Sequence, residues 1–180
     1  MAEEERSYWE VVEPVMDRVN IYDGPVHYFS SIAELPRAYV LLYATHMSLA
    51  EIHNGGFLQL FWNNTGIVVP EAIEGFVELG MPKASALLVR AAALLGDTYP
   101  IVREYRWDAL LVESGLSEVE IEALFKGESN LYLAFEKATK ALPFEELSDE
   151  LLELADEENG GFQRAATQYA GLRAASFPLQ

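Results

Sequence analysis

Read for its apolar positions, the chain is a succession of helical periods. Between Ser7 and Val19 the residues Trp9, Val12, Val15, Met16 and Val19 recur at helical spacing, with Pro14 set to kink or restart the helix. Asp23-Gly24-Pro25 marks a turn, and Ser31-Ile32-Ala33-Glu34 has capping-box spacing ahead of a long apolar run. The pattern predicts a helix from about Ala33 to His53. Its Tyr39, Leu42, Tyr43, Met47, Leu49, Ala50 and Ile52 wrap more than one face, which marks it as the central helix. Asn54 and two glycines stop it near His53, because glycine takes the left-handed conformation that follows a helix end without steric cost. A short aromatic helix then resumes, with Phe57 over Phe61 and Leu58 over Trp62, and Asn63-Asn64-Thr65-Gly66 closes it. Gln59 and Asn63 stand beside those aromatics either as polar anchors of a buried corner or as ligand contacts.

Farther on, Ile67-Val68-Val69 is too short for a sheet, and Pro70 and Pro82 each stand where a helix begins. The predicted helices are about Pro70 to Leu79, Pro82 to Leu95, Ile101 to Ser114, one opening on a second capping box at Ser117-Glu118-Val119-Glu120, then Ser129 to Leu142, Phe144 to Glu158 and Phe162 to Ala175. The expected fold is all-α, a single compact domain over residues 1–180 with about eight or nine helices and no sheet. Asn159-Gly160-Gly161-Phe162-Gln163 echoes Asn54-Gly55-Gly56-Phe57, but the flanks do not align, so a shared way of stopping a helix is expected rather than a duplication.

Composition alters this picture in one respect. With 51% hydrophobic residues the 180-residue chain can fill a core, yet its net charge is −17. A folded protein with a negative skin repels nucleic acid and anionic membranes and attracts basic protein surfaces. Cysteine is absent, the acidic start Met1-Ala2-Glu3-Glu4-Glu5-Arg6 lacks the pattern of a secretory signal, and no apolar run reaches bilayer length, so a cytoplasmic protein without a membrane span is expected.

The stretch Asn-Gly-Gly-Phe-x-Gln-x-Phe-x-Asn-x-x-Gly, with Glu51 just upstream, carries a resemblance. These residues, Glu51, Asn54, Gly55, Gly56, Phe57, Gln59, Phe61, Asn63 and Gly66, together with Leu79-Gly80 and the Ala-Leu-rich helix to Leu95, resemble a family of small bacterial helical proteins named after a DNA-mimic protein. The resemblance covers about residues 35–155. It implies an all-helical fold and, from the characterised member, binding to a DNA-binding transcription regulator in place of DNA. The motif is read as mainly structural.

Catalytic patterns are missing. The histidines His27, His46 and His53 show no i, i+4 zinc pair, there is no nucleophile elbow or phosphate loop, and neither a metal nor a cofactor is expected. The chain is therefore read as no enzyme; scattered carboxylates would need a pocket, first sought at Glu51, His53, Gln59 and Asn63. The acidic segment holds more chemistry. From Glu113 to Glu158 fourteen acidic residues face three lysines, a balance of −11. Glu146, Glu150, Glu153 and Glu157 form one helical row and Glu145, Asp149 and Asp156 a neighbouring one, with Leu147, Leu151 and Leu154 turned to the core. Seven carboxylates over roughly 18 Å of helix give about one charge per 3 Å, close to the ~3.4 Å phosphate spacing of one DNA strand. Such a row either keeps a helix soluble or binds a partner. The candidate partner-binding residues are Glu118, Glu122, Glu145, Glu146, Asp149, Glu150, Glu153, Asp156 and Glu157, and the expected partner is a basic DNA-binding protein; a homodimer is left open. The alternative is an immunity-like or scaffold protein that binds a basic partner or assembles through exposed aromatics such as Tyr8, Trp9 and Phe177.

Overall fold

The computed structural model describes residues 7–114, 117–126, 140 and 142–173. The elements in order are α1 (Trp9–Met16), α2 (Pro25–Ala33), α3 (Arg37–Trp62), a 3-10 turn (Asn64–Val68), α4 (Val69–Glu78), α5 (Pro82–Ala93), α6 (Arg103–Ser114), α7 (Glu118–Phe125), α8 (Phe144–Glu157), a second 3-10 turn (Glu158–Gly160) and α9 (Phe162–Arg173). The fold is all-α, with no strand among the described residues.

Helix α3 is the axis. Tyr39 to Thr45 are buried in succession, so this helix is enclosed on every side, and α1, α4, α6, α8 and α9 all pack against it. Its start differs from the expected Ala33. Ser31 lies inside α2, where its hydroxyl donates to the Tyr28 carbonyl at 2.7 Å and accepts from the Asn20 N–H at 3.1 Å, so it caps nothing. Pro36 separates the two helices: it disfavours helical backbone at Leu35, and its own ψ of 136° is non-helical. The second expected capping box holds, with the Ser117 N–H donating to Glu120 at 2.9 Å and the Glu120 N–H reaching back to Ser117 Oγ at 3.4 Å. Most of the helix expected from Ser129 to Leu142, and the end of α9 beyond Arg173, lie outside the described residues.

The repeated Asn-Gly-Gly-Phe has a local explanation. Gly56 before Phe57 has φ 70° and Gly161 before Phe162 has φ 91°, so in both places a left-handed glycine restarts a helix at a phenylalanine. The second copy also ties α8 to the α4–α5 corner. Glu158 accepts the N–H groups of Lys83 and Ala84, both at 2.9 Å, and so caps α5, whose own N-cap residue Met81 supplies no side-chain bond. Asn159 donates to the Leu79 carbonyl at the end of α4, at 2.8 Å.

Candidate functional site

The motif region is a helix interrupted and then closed by side chains from elsewhere in the chain. Helical turns lie on both sides of the interruption in α3, but Gly55 (φ −169°) and Gly56 (φ 70°, ψ −169°) leave helical geometry and split it where a stop was expected. The Phe57 N–H, a donor freed by the break, reaches Ser148 Oγ on α8 at 2.9 Å, and that hydroxyl donates to the Phe144 carbonyl at 2.5 Å. A Cβ at Gly56 would lie 2.8 Å from the same oxygen. Ser148 thus fixes the register of α8 against α3.

Glu51, Gln59 and Asn63 are bonded to one another at this corner. The Glu51 carboxylate accepts from Gln59 Nε2 at 2.7 Å, Asn63 Nδ2 at 3.0 Å and Thr65 Oγ1 at 2.7 Å. The two amides are therefore polar anchors of the corner. A methyl group at Gly55 would run into the Gln59 side chain, which explains the small residue there. Below this cluster the carbonyls that end α3 are taken by α6 and the loop before it. Arg106, fully buried, donates through Nε to Phe61 O and through Nη2 to Asn63 O, both at 2.8 Å, and through Nη1 to Ile101 O at 2.6 Å. Burial pushes its pKa down, yet a cation at a helix C-terminus complements the helix dipole. Trp107 Nε1 donates to Trp62 O at 3.0 Å and stacks on that ring, while Tyr99 OH donates to Gly66 O at 2.8 Å.

Neither Arg106 nor Ser148 stands out in the patterns of the sequence. Each carries a faint signal, a polar residue on an apolar stripe: Arg106 stands four before Leu110, and Ser148 between Leu147 and Leu151, four after Phe144.

On α8 all seven carboxylates, Glu145, Glu146, Asp149, Glu150, Glu153, Asp156 and Glu157, are exposed, while Phe144, Leu147, Ser148, Leu151 and Ala155 are buried and Leu154 is half-buried. At about 100° per residue the acids fill one continuous arc of roughly 140°. Among the described ion pairs the one on this helix is Arg90 of α5 with Glu150, at 3.6 Å. Glu145 and Glu146 suit the positive N-terminal turn, but Asp156 and Glu157 oppose the dipole at the other end, and the last turn of the helix itself holds no basic residue. The remaining two candidates differ. Glu122 on α7 pairs with Lys126 at 2.7 Å, and the side chain of Glu118 lies outside the described residues.

One cavity lies between α3 and α8 and another between α3 and α9. One, about 500 Å³, is lined by Asn54 to Leu58, Leu142, Phe144, Glu145, Ser148, Asp149 and Leu152; the other, about 950 Å³, by Leu49, Ala50, Ala155, Asp156, Phe162 and Arg164 among others, and His53 belongs to both. His46 borders the larger one, its ring against Tyr8 and Trp9 at 5.9 and 5.2 Å between centroids, and burial lowers its pKa. Tyr8 is accordingly half-buried, also edge-on to Phe162, rather than a free aromatic; Trp9 is 38% exposed and Phe177 lies outside the described residues. Among the described residues no three His, Asp or Glu side chains gather in a way that could hold a metal ion, and no helix is long and apolar enough to cross a membrane.

Comparison with known proteins adds one finding: the family model described as DMP19-like protein matches residues 33–174. The match runs beyond the 35–155 expected from the motif and takes in the whole of α8 and α9. No curated protein and no solved structure matches the chain. The glycine break in α3, the corner it leads to and the acidic helix packed against it all fall inside the matched segment, and the chain belongs to the DMP19-like protein family.

Proposed function

We propose that this protein is a binding protein that occupies the DNA-binding face of a transcription regulator, presenting the carboxylates of α8 where the regulator would otherwise meet phosphates. The observation that carries the reading is the seven-carboxylate arc of α8, wholly exposed and almost unpaired among the described residues. Two further points support it. Asp156 and Glu157 act against the helix dipole, so helix stability does not account for their presence. The family to which the chain belongs takes its name from a DNA mimic. The protein acts in the bacterial cytoplasm, without catalysis, and complementary charge speeds its encounter with the partner.

The test is capture of proteins from a cell extract on the immobilised chain, at low and high salt and with duplex DNA as competitor. DNA-binding proteins are recovered at low salt and released by salt or by DNA. The triple variant Glu146→Lys, Glu150→Lys, Glu153→Lys keeps its helical spectrum and recovers none of them. Recovery of no DNA-binding protein by the unaltered chain rejects the reading.

A further inference from the structure

In a chain of net charge −17, one cavity gathers positive groups. It measures about 360 Å³, lies where the start of α2, the 3-10 turn after α3 and the start of α6 meet, and contains no residue of α8. Two of its residues are Arg103 and Arg106. Arg106, fully buried, gives four of its five N–H donors to backbone carbonyls and forms no ion pair among the described residues. Burial first, and then the repulsion of Arg103, hold its pKa down. Arg103 makes neither a hydrogen bond nor an ion pair among the described residues; its guanidinium lies over the Trp107 ring, 4.4 Å from the centroid. Stacking engages the face of a guanidinium and leaves its in-plane N–H groups without acceptors. The Nε is enclosed, and the half-buried residue keeps part of its surface open in the cavity wall. Arg103 also opens α6, at the positive end of that helix, so helix stability does not account for it. The start of α2 borders the same cavity at Gly24 and Pro25, and its N-cap Gly24 offers no side-chain acceptor to the first turn.

We propose that this cavity binds a small organic molecule with a single carboxylate, the carboxylate against the guanidinium of Arg103 and the apolar part against Tyr22, Ile101 and Val102. Tyr22 is 74% exposed and the other two are half-buried, so all three have surface to offer. The balance of charge selects the class of ligand. Arg103 and Arg106 are matched in number by Asp23 and Glu104, while the starts of α2 and α6 add about half a positive charge each, so the cavity carries roughly +1 and suits a monoanion rather than a doubly charged phosphate. The signs are also layered. Asp23 and Glu104 are exposed, with Asp23 accepting from Asn20 Nδ2 at 2.8 Å, whereas Arg103 and Arg106 lie deeper. Arg106 contributes charge and not contact, because its surface is closed. The site goes beyond the reading of α8 and does not depend on it.

The experiment titrates the full chain with sodium benzoate, with its neutral analogue benzamide and with inorganic phosphate, at one ionic strength and neutral pH, following the Trp107 Nε1–H signal by nuclear magnetic resonance. Arg103→Gln removes a side chain with no hydrogen bond among the described residues, and Lys83→Gln removes the same charge from an exposed side chain on α5; circular dichroism checks both folds. Benzoate shifts the signal to saturation and benzamide does not. Arg103→Gln weakens benzoate about tenfold and Lys83→Gln less than about twofold, while Glu104→Gln, which takes a negative charge from the mouth, strengthens it about twofold. No saturable shift in the unaltered chain, an equal response to benzamide, equal losses in Arg103→Gln and Lys83→Gln, weaker binding in Glu104→Gln, or phosphate binding more tightly than benzoate overturns the proposal. Capture of DNA-binding proteins from extract decides separately on α8.

Discussion

Gly56 and Glu51 show how single side chains hold the motif together. At φ 70° and with Ser148 Oγ 2.8 Å from where its Cβ would be, Gly56 meets both reasons for glycine at once, backbone conformation and space. Gly56→Ala is expected to destabilise the protein by about 1–3 kcal/mol, measured as a shift of the urea midpoint. Gly55, at φ −169°, is not in the left-handed region, so its substitution acts through another route, by displacing Gln59 from Glu51. The Glu51 carboxylate accepts three neutral hydrogen bonds and so ties the two ends of the motif together.

Two helix ends depend on partners far away in sequence. The end of α3 relies on Arg106, whose N–H groups meet the carbonyls of Phe61, Asn63 and Ile101 in the interior. Arg106→Met leaves those carbonyls unpaired and is expected to cost about 1–3 kcal/mol of stability, read by chemical denaturation, with a change in tryptophan fluorescence as the Trp62–Trp107 stack loosens with α6. Helix α8 is pinned near its start by Ser148 and just past its end by Glu158 on α5. Between those points its acidic arc carries like charges at i, i+4, each pair costing a few tenths of a kcal/mol. Packing of Leu147, Leu151 and Ala155 therefore holds the helix, and its charges are free to serve a surface purpose.

Across the whole molecule, a net charge of −17 on one small protein means self-repulsion throughout. The described ion pairs, such as Arg37 with Glu71 and Glu74, Arg90 with Glu150 and Arg173 with Glu78, involve mainly exposed groups and offset little of it. Added sodium chloride screens that repulsion, so Tm is expected to rise with salt in a calorimetric series. The same salt weakens binding to a basic partner. A Tm that rises while binding falls is the signature of surface charge kept for a partner; a Tm that falls with salt would mean that the charges are paired within the fold.

Periodicity and turn chemistry are enough to place α4, α5, α8 and the break at Gly55 and Gly56, and to put seven carboxylates on one side of α8, because each of those features is settled within a few residues of chain. The start of α3 departs from the expected one for an equally local reason: Ser31 has capping spacing, but the effect of Pro36 on Leu35 is the stronger constraint. Arg106 under the end of α3, Ser148 at the break and Glu158 on the first turn of α5 belong to another kind of fact. Each joins residues at least 43 positions apart. No local pattern selects such partners, since a free N–H or carbonyl at a helix end is satisfied by whichever side chain packing brings to it, and only the packed helices determine which one that is.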